Sequence, residues 1–254
     1  MYSKWKRGGD TGSGDGLIRL NKFIAESGLC SRREAGRLME SGEVTVDGEP
    51  AVPGMKIKGT EKVKVGDRIV RGENRKVVVA YYKPVGVTTT MSDPHAEVTL
   101  EDVFHYPIHL TYAGRLDRDT EGLLLMTNDG ALIDAMMRGA NGHEKEYIVR
   151  TRSKISDQAL HQMSKGIWLK DLETKTKPCR VERLGEYTFR IVLTQGLNRQ
   201  IRRMCQAVGA EVKTLKRVRV LNITTRGLKP GMQREITGQE LHDLYREAGM
   251  FAQK

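Results

Sequence analysis

The 254-residue sequence lacks several features that would place it in well-known classes of protein. It contains only three cysteines, Cys30, Cys179 and Cys205, which lie far apart and form no CxxC pair. An odd and scattered set of cysteines argues against a disulfide framework and against a zinc site of the CxxC type, and it fits a reducing compartment. We therefore expect no structural metal.

Long hydrophobic runs are also absent. No apolar segment reaches the length that spans a bilayer, and the residues after Met1 contain no signal-peptide core. We expect a soluble, cytoplasmic protein that does not bind membranes. No internal repeat of solenoid length is visible, which excludes array folds.

The charge balance indicates a polyanionic partner. Lys and Arg number 43 against 32 Asp and Glu, for a formal net charge of +11. The sequence pI is about 9.6. Such an excess suits nucleic acid better than a neutral or acidic partner. The chain is also long enough for one large domain and one small one.

Composition divides the chain into three parts. Residues 1–16 are rich in Gly, Ser and Lys, which predicts a flexible tail. Residues 17–75 form a small basic unit with two predicted helices, the first ending at Gly28 and the second opened by Ser31 and Glu34 as a capping box. Short predicted strands follow these helices, and residues 76–254 form a larger unit.

In the larger unit, strand patterns dominate. The predicted strands are 77–82, 123–127, 145–151, 187–194 and 217–224. The predicted helices are 130–138, 157–165, 198–208 and 238–247. The short links between strands favour a mixed, mostly antiparallel sheet with flanking helices. The predicted fold class is therefore α+β, with a small α/β unit ahead of the larger domain.

The densest concentration of charge is the run GRLDRDTEGLL at 114–124, which leads into an apolar strand. Two interpretations compete: a solvated loop ordered by its acids, or a site where one ionised carboxylate faces a substrate. A partly desolvated carboxylate stays ionised when a guanidinium lies beside it. The run NRQIRRM at 198–204 offers such cations, because its arginines crowd the start of a predicted helix and need an anion to offset the helix dipole.

Basic residues gather on the helices of the small unit without balancing acids, namely Arg19, Lys22, Arg32, Arg33 and Arg37. That imbalance favours phosphate binding over a solvated surface. The stretch from Ile18 to Ala35, followed by GEVTVDG at 42–48, closely resembles the S4 RNA-binding domain. The resemblance implies that the two helices and the following loop contact structured RNA. This unit is longer than is usual for the domain after Pro53, where residues 56–64 add a predicted basic loop.

Four motifs of the larger unit occur in the order and spacing of the RsuA-type pseudouridine synthases, which this unit resembles. They are KPVG at 83–86, GRLDRDTEGLL at 114–124, KEY at 145–147 and QGLNRQIRRM at 195–204. The string HEKEY at 143–147 is most similar to the RluF-like branch that acts on 23S rRNA. The match spans residues 17–245 and includes the S4 unit.

The resemblance implies an RNA uridine isomerase that needs no metal or organic cofactor. By motif, Asp117 would be the catalytic aspartate, Tyr147 the aromatic residue against the target base, and Arg202 the partner that keeps Asp117 ionised. The implied substrate contacts are Arg115, Lys83, Lys145, Asn198 and Arg199. The expected partner is RNA, either 23S rRNA or a ribosome assembly intermediate, bound by a monomer. Attack at C1′ of the ribose and at C6 of the uracil both stay open.

Two other functions also stay open. Asp117 with Asp119 or Glu121 can serve as the two-carboxylate pair of a nucleoside glycosidase. The S4 resemblance also fits a ribosome-binding or assembly factor whose larger domain is a scaffold without catalysis. Release of free base from RNA would identify the glycosidase, and an Asp117→Asn variant with intact function would identify the scaffold.

Overall fold

The computed structural model describes residues 16–70, 75–91, 93, 95–137 and 142–251. The predicted tail at 1–16 lies outside these ranges except for its last residue. The hydrophobic side chains of 18–70 pack into one core, and three further cores are built from residues 77–251. The domain limits at 16 and at 75 stay predictions.

The small unit begins with β1 (Ile18–Arg19), α1 (Leu20–Glu26) and α2 (Arg32–Glu40). Its other strands are β2 (Val44–Val46), β3 (Glu49–Pro50), β4 (Lys56–Ile57), β5 (Val63–Val65) and β6 (Arg68–Val70). Strand β4 pairs with β1, and the others form a sheet of order β3-β2-β5-β6. The basic insertion at 56–64 therefore supplies a strand to each sheet instead of forming only a loop.

The N-terminus of α2 follows the sequence-based prediction in part. The side chain of Ser31 accepts a hydrogen bond from the backbone N–H of Glu34 at 3.1 Å. The Glu34 carboxylate, which would complete a capping box, lies 2.6 Å from Arg37 instead. The cap therefore forms, but the reciprocal half of the box is replaced by an ion pair.

The larger unit is built from eleven strands and five helices in the described ranges. The strands are β7 (Val78–Lys83), β8 (Thr111–Ala113), β9 (Glu121–Thr127), β10 (Lys145–Thr151), β11 (Trp168–Leu169), β12 (Thr174–Lys175), β13 (Arg180–Gly185), β14 (Thr188–Leu193), β15 (Val212–Val220), β16 (Ile223–Thr224) and β17 (Gln233–Glu235). The helices are α3 (Leu100–Val103), α4 (Gly130–Met137), α5 (Asp157–Ser164), α6 (Gln200–Ala207) and α7 (Gly238–Glu247). None of these helices combines the length and apolarity needed to cross a bilayer.

Nine of these strands form one sheet. Its order is β13-β14-β10-β15-β9-β7-β17, with β16 beside β15 and β8 beside β9. Across the described residues of this sheet, the pairings are antiparallel except that of β15 with β9. The predicted α+β class with a mixed, mostly antiparallel sheet is confirmed.

Helices cover the two halves of the sheet differently. In β7, Val78 and Ala80 join the core that contains α4 and α7, whereas Val79 and Tyr81 join the core that contains α3. Period-two alternation thus buries both faces of this half. The half formed by β10, β14 and β15 packs one face on α5 and α6.

Strand β9 has two partners along one edge. Its first residues, Glu121 and Gly122, pair in parallel with Lys216 and Arg217 of β15. Its last residues pair with β8. Strand β15 therefore leaves β9 after two residue pairs, and the loop at 114–120 that joins β8 to β9 lies where these strands separate.

Gly122 marks the closest approach of β9 and β15. Its φ is +109°, and a Cβ atom placed there would lie 2.2 Å from the carbonyl oxygen of Arg217. Neither that backbone conformation nor that space is open to a residue with a side chain. The parallel pairing that positions the charged loop therefore requires glycine.

We expect Gly122→Ala to lower the free energy of unfolding by at least about 2 kcal/mol, because the strands must separate to admit the methyl group. Urea denaturation measures this loss. Gly185→Ala is the matched control, since Gly185 lies in the same sheet with no atom within 4 Å of its Cβ position. A Gly122→Ala variant as stable as this control would contradict the close approach.

Candidate active site

A cleft of about 590 Å³ opens beside the loop at 114–120. Its walls come from that loop, from β10 and from the segment that leads into α6. This volume falls in the range of small-ligand sites and accommodates a single nucleotide. Six of the residues predicted from sequence line the cleft, namely Arg115, Asp117, Lys145, Tyr147, Asn198 and Arg199.

Hydrogen bonds from the segment after β7 hold one side of the loop. The Thr89 hydroxyl donates to the carbonyl of Leu116 at 2.6 Å and accepts from the N–H of Leu116 at 3.2 Å. The backbone N–H of Gly86 donates to the carbonyl of Arg118 at 2.8 Å. Asp117 therefore lies between two residues whose backbones are held by hydrogen bonds.

Arg217 holds the loop from β15. It is only 2% exposed, and its Nε donates to the carbonyl of Leu123 at 2.7 Å while Nη1 donates to the carbonyl of Arg115 at 3.3 Å. Sequence reasoning missed this residue. The sequence could have indicated its burial, because residues two apart on a strand share a face and Arg217 follows the buried Leu215 at that spacing.

Asp119, two residues beyond Asp117, is the main anion that faces α6. Arg199 binds it in a bidentate manner, with Nη1–Oδ1 at 3.1 Å and Nη2–Oδ2 at 2.8 Å. The Nε of Arg202 lies 3.2 Å from the same Oδ2, and its Nη2 donates to the backbone carbonyl of Asp119 at 2.8 Å. Cations near the start of a helix oppose the helix dipole, and the single carboxylate of Asp119 thus offsets the charge of both Arg199 and Arg202.

The predicted pairing of Arg202 with Asp117 is wrong. The guanidinium of Arg202 is engaged by both the carboxylate and the carbonyl of Asp119, which the loop turns toward the helix. Among the described residues, the ion-pair partner of Asp117 is Arg199, whose Nη1 lies 3.9 Å from Oδ2. The Asp117 side chain is 35% exposed, so its carboxylate stays accessible from the cleft.

The environment of Asp119 favours its ionised form. Burial acts to raise the pKa of Asp119, but the hydrogen bond from Arg199 and the charge of Arg202 outweigh it, so this pKa lies below its ordinary value of 3.8. Asp119 is therefore a permanent anion at neutral pH. Its electrostatic role is to neutralise the two arginines.

Lys83 was predicted to contact the substrate, and the structure corrects this. The side chain is 0% exposed, and its ammonium donates to the carbonyls of Pro84 at 2.7 Å and Val87 at 2.8 Å. Burial lowers the pKa of Lys83 to about 8, although Asp119 and Asp117 act in the opposite direction. Lys83 thus holds the turn that follows β7 and adds positive charge near the two acids.

Strand β10 brings Lys145 and Tyr147 to the cleft, because residues two apart lie on the same face. Tyr147 is half-buried and packs against the core of α5 and α6. The ammonium of Lys145 donates to the carbonyl of His143 at 3.4 Å. Burial, and then the charge of Arg217, lower the pKa of Lys145.

The start of α6 completes the rim of the cleft. Arg199 is the N-cap residue and has φ of +48°, a left-handed conformation that costs a non-glycine residue about 1–3 kcal/mol. The bidentate bond to Asp119 offsets this strain. Asn198, the preceding residue, is exposed, and its Oδ1 accepts a hydrogen bond from Arg203 at 3.2 Å.

Comparison with known families identifies both units. A family model described as RNA pseudouridylate synthase matches residues 77–207, which is 131 of the 254 residues. The chain belongs to this family. The S4 domain model matches residues 18–69 of the synthase. The enzyme is therefore an RNA isomerase with an S4 RNA-binding domain.

Several named relatives are pseudouridine synthases that match this chain along most of their length. The Dual-specificity RNA pseudouridine synthase RluF of Escherichia coli (strain K12) is 41% identical over 238 residues, covering 91% of this chain and 80% of that protein. The Ribosomal large subunit pseudouridine synthase B of Bacillus subtilis (strain 168) is 36% identical over 236 residues, covering 90% and 96%. A crystal structure of a pseudouridylate synthase matches with a TM-score of 0.66 at 28% identity, covering 89% of this chain and 99% of that one.

The S4 domain of the synthase presents cations to solvent. Four of the predicted RNA-binding side chains are exposed and the fifth, Lys22, is half-buried. The exposed four are Arg19, Arg32, Arg33 and Arg37. Arg37 pairs with Glu34, so the remaining three carry most of the unbalanced charge of this face.

The synthase contains one histidine pair at a spacing that can bind metal, His105 and His109. The segment between them contains Pro107 and is not helical, so the two rings do not share one helix face. In the part of the chain that the structure describes, no group of three or more His, Cys, Asp or Glu could hold a metal ion. The expectation of no metal stays a prediction.

The ion pairs of Asp119 make the stability of the synthase depend on pH. Because the folded pKa of Asp119 lies below the ordinary value of 3.8, its contribution is complete above that pH and is lost as the pH falls through the folded pKa. We expect Asp119→Asn to lower the free energy of unfolding at neutral pH by roughly 1 kcal/mol, a modest amount because the exposed fraction of this side chain screens its charge.

Denaturation curves recorded from neutral pH to below pH 3.8 test this prediction. The difference between wild type and Asp119→Asn should shrink over the acid end of the series. Asp134→Asn, at an exposed position of α4, is the control and should show no such trend. A difference that stays constant at every pH would contradict an ionic role for Asp119.

Proposed function

We propose that this synthase converts a specific uridine of structured RNA to pseudouridine, with Asp117 as nucleophile and without metal or cofactor. The observation that supports this proposal is the contrast between two neighbouring acids. Asp119 is engaged by two guanidiniums, whereas Asp117 faces the cleft with one cation at 3.9 Å. A carboxylate can act as a nucleophile when it is ionised and its oxygens are available.

The proposed reaction balances without a co-substrate, because uridine and pseudouridine are isomers. The bond between N1 and C1′ breaks, a bond between C5 and C1′ forms, C5 loses a proton and N1 gains one. Asp117 attacks either C1′ of the ribose or C6 of the uracil, and both routes require an enclosed cleft that retains the detached base. The half-buried ring of Tyr147 provides an aromatic surface for that base.

The other cations of the cleft have supporting roles in this proposal. Arg115 and Arg199 are exposed at the rim, where phosphates adjoining an extruded uridine would lie. Arg217 and Lys145 line the same cleft and favour anionic species inside it. Arg202 contacts Asp119, so it acts on Asp117 only through the position of the loop and is a positioning residue.

The relatives support large-subunit ribosomal RNA as the substrate. The Bacillus subtilis relative is named for the ribosomal large subunit, and the matches to it and to RluF include the S4 domain as well as the cleft. We propose that the synthase acts as a monomer on 23S rRNA, either free or in an assembly intermediate. The net charge of +11 suits either form of that partner.

The structure disfavours a two-carboxylate glycosidase. Such an enzyme needs a second acid that is protonated near neutral pH. The pKa of Asp119 is lowered, and Glu121 accepts a hydrogen bond from the Tyr82 hydroxyl at 3.0 Å. Neither acid is therefore placed as a proton donor to a leaving base.

We expect Asp117→Asn to reduce isomerisation by at least about a thousand-fold, since the amide cannot replace the nucleophilic carboxylate. Release of tritium from a 23S rRNA transcript labelled at C5 of uridine measures turnover, because C5 loses its proton. Filter binding of the same RNA should change less than about two-fold, and Asp134→Asn should resemble wild type. Turnover retained in Asp117→Asn would contradict the assignment of Asp117 as the nucleophile.

We expect Arg33→Ala to weaken binding of the 23S rRNA transcript and to reduce the slope of log K against log salt by about 1, which corresponds to the loss of one phosphate contact. Filter binding over a salt series gives both values. Arg246→Ala, on α7 and paired with Asp243, removes the same charge away from the S4 domain and should leave the slope unchanged. Equal slopes for wild type and Arg33→Ala would show that this face is only solvated.

A further inference from the structure

A short hairpin outside the described site exposes the indole of Trp168. The hairpin consists of residues 166–177, in which β11 pairs with β12, and Trp168 is 57% exposed. The next residue, Leu169, is 2% exposed and belongs to the core under α5 and α6. Because side chains alternate along a strand, anchoring Leu169 inward directs Trp168 outward.

The backbone of this Trp168 hairpin is firmly held. A Cβ atom at Gly166 would lie 2.3 Å from the carbonyl oxygen of Thr176, so the two ends of the hairpin lie too close together to admit a side chain at this position. The Thr176 hydroxyl accepts a hydrogen bond from the N–H of Ile167 at 2.9 Å. The indole of Trp168 is therefore presented from an ordered backbone, and its exposed ring is available to a partner that can stack on it.

The surroundings of Trp168 are basic. Four exposed lysines belong to the hairpin or adjoin it, namely Lys165, Lys170, Lys175 and Lys177. Lys175 is the cross-strand partner of Trp168. Of the hairpin acids, Asp171 is neutralised by Arg203, which leaves Glu173 against the lysines. An aromatic ring among lysines is the combination by which proteins bind single-stranded nucleic acid, since bases stack on the ring and phosphates pair with the cations.

Two contacts join the hairpin to the rim of the cleft. The backbone N–H of Lys177 donates to the side-chain oxygen of Gln195, and Gln195 lines the cleft. Asp171 pairs with Arg203, whose Nε donates to the carbonyl of Asn198 at 3.1 Å. Asn198 also lines the cleft, so the hairpin extends its rim on the α6 side.

We propose that the Trp168 hairpin is an RNA-docking surface on which an unpaired nucleotide flanking the target uridine stacks, while the lysines contact neighbouring phosphates. This inference rests on the proposed RNA substrate and adds a contact separate from the S4 domain and from the cleft. An unpaired nucleotide is the occupant that matches both the single ring and the positive charge.

Tryptophan fluorescence tests the stacking directly. The sequence contains two tryptophans, Trp5 and Trp168, so Trp5→Phe leaves Trp168 as the sole tryptophan, which is excited selectively over tyrosine at the red edge of the absorption band. Adding Asp117→Asn removes turnover, and an unmodified 23S rRNA transcript is then titrated while filter binding follows complex formation. We expect emission to fall along the binding curve. Binding of the RNA with unchanged emission would overturn the proposal, whether or not the wild type forms pseudouridine.

Steady-state kinetics on the same transcript provide the second test. We expect Trp168→Ala to raise KM about ten-fold with kcat unchanged, and Trp168→Phe to recover most of the loss, because phenylalanine retains a stacking surface. Tyr187→Ala is the matched control. Tyr187 is 37% exposed and precedes β14, whose cleft end at Leu193 lies about 20 Å farther along the strand.

The outcomes of the kinetic test separate the possible occupants. If the KM of Trp168→Ala equals that of wild type, the indole does not contact the RNA, and the proposal is overturned. A protein would then be its remaining partner. An equal rise in KM for Tyr187→Ala would show that the effect is not local, with the same consequence. A rise in KM for Trp168→Ala alone, reversed by Trp168→Phe, supports RNA stacking.

Discussion

The ion pair that Asp119 forms with Arg199 and Arg202 connects two parts of the synthase that the sheet joins only weakly. Helix α6 packs with β10 and β14, whereas the loop that carries Asp119 belongs to β8 and β9. Between these halves, β15 pairs with β9 through only two residue pairs. The ion pair and the bonds from Arg217 therefore bridge the opening, so the cleft can be wide without the loop losing its position.

Two acids in one loop acquire different properties from their surroundings. Asp119 lies within reach of both arginines and is neutralised by them, whereas Asp117 points to the cleft and keeps its oxygens accessible. Both residues are aspartates, so the residue type alone does not predict this difference. If Arg202 had reached Asp117 instead, two guanidiniums would compete for the proposed nucleophile and reduce its reactivity. By engaging Arg202, Asp119 thus leaves the oxygens of the proposed nucleophile accessible from the cleft.

The elements predicted from sequence were those with a strong periodic pattern. Helices α5, α6 and α7 and strands β9, β10 and β14 lie where their apolar periodicity placed them. Strand β13 was missed because its charged side chains show no apolar face, and it forms because β14 offers it an edge. The residues of the cleft could be predicted from motifs, but the partner of Arg202, the burial of Lys83 and the bonds of Arg217 depend on three-dimensional packing that no local pattern records.

In the proposed function, the basic residues of the S4 helices bind the RNA, whereas the residues of the cleft carry out the reaction. Removing a uridine from its stack costs a few kcal/mol, and contacts elsewhere on the RNA have to supply that free energy. The S4 domain can supply it only if its position relative to the cleft is defined. The turn after α1 meets the larger unit, where the N–H of His109 donates to the carbonyl of Gly28 at 2.7 Å. A side chain at Gly28 would press on Ile108, 3.1 Å away, so this junction is tight. The phosphate contacts proposed for the S4 helices would thereby stabilise the extruded base proposed to bind in the cleft.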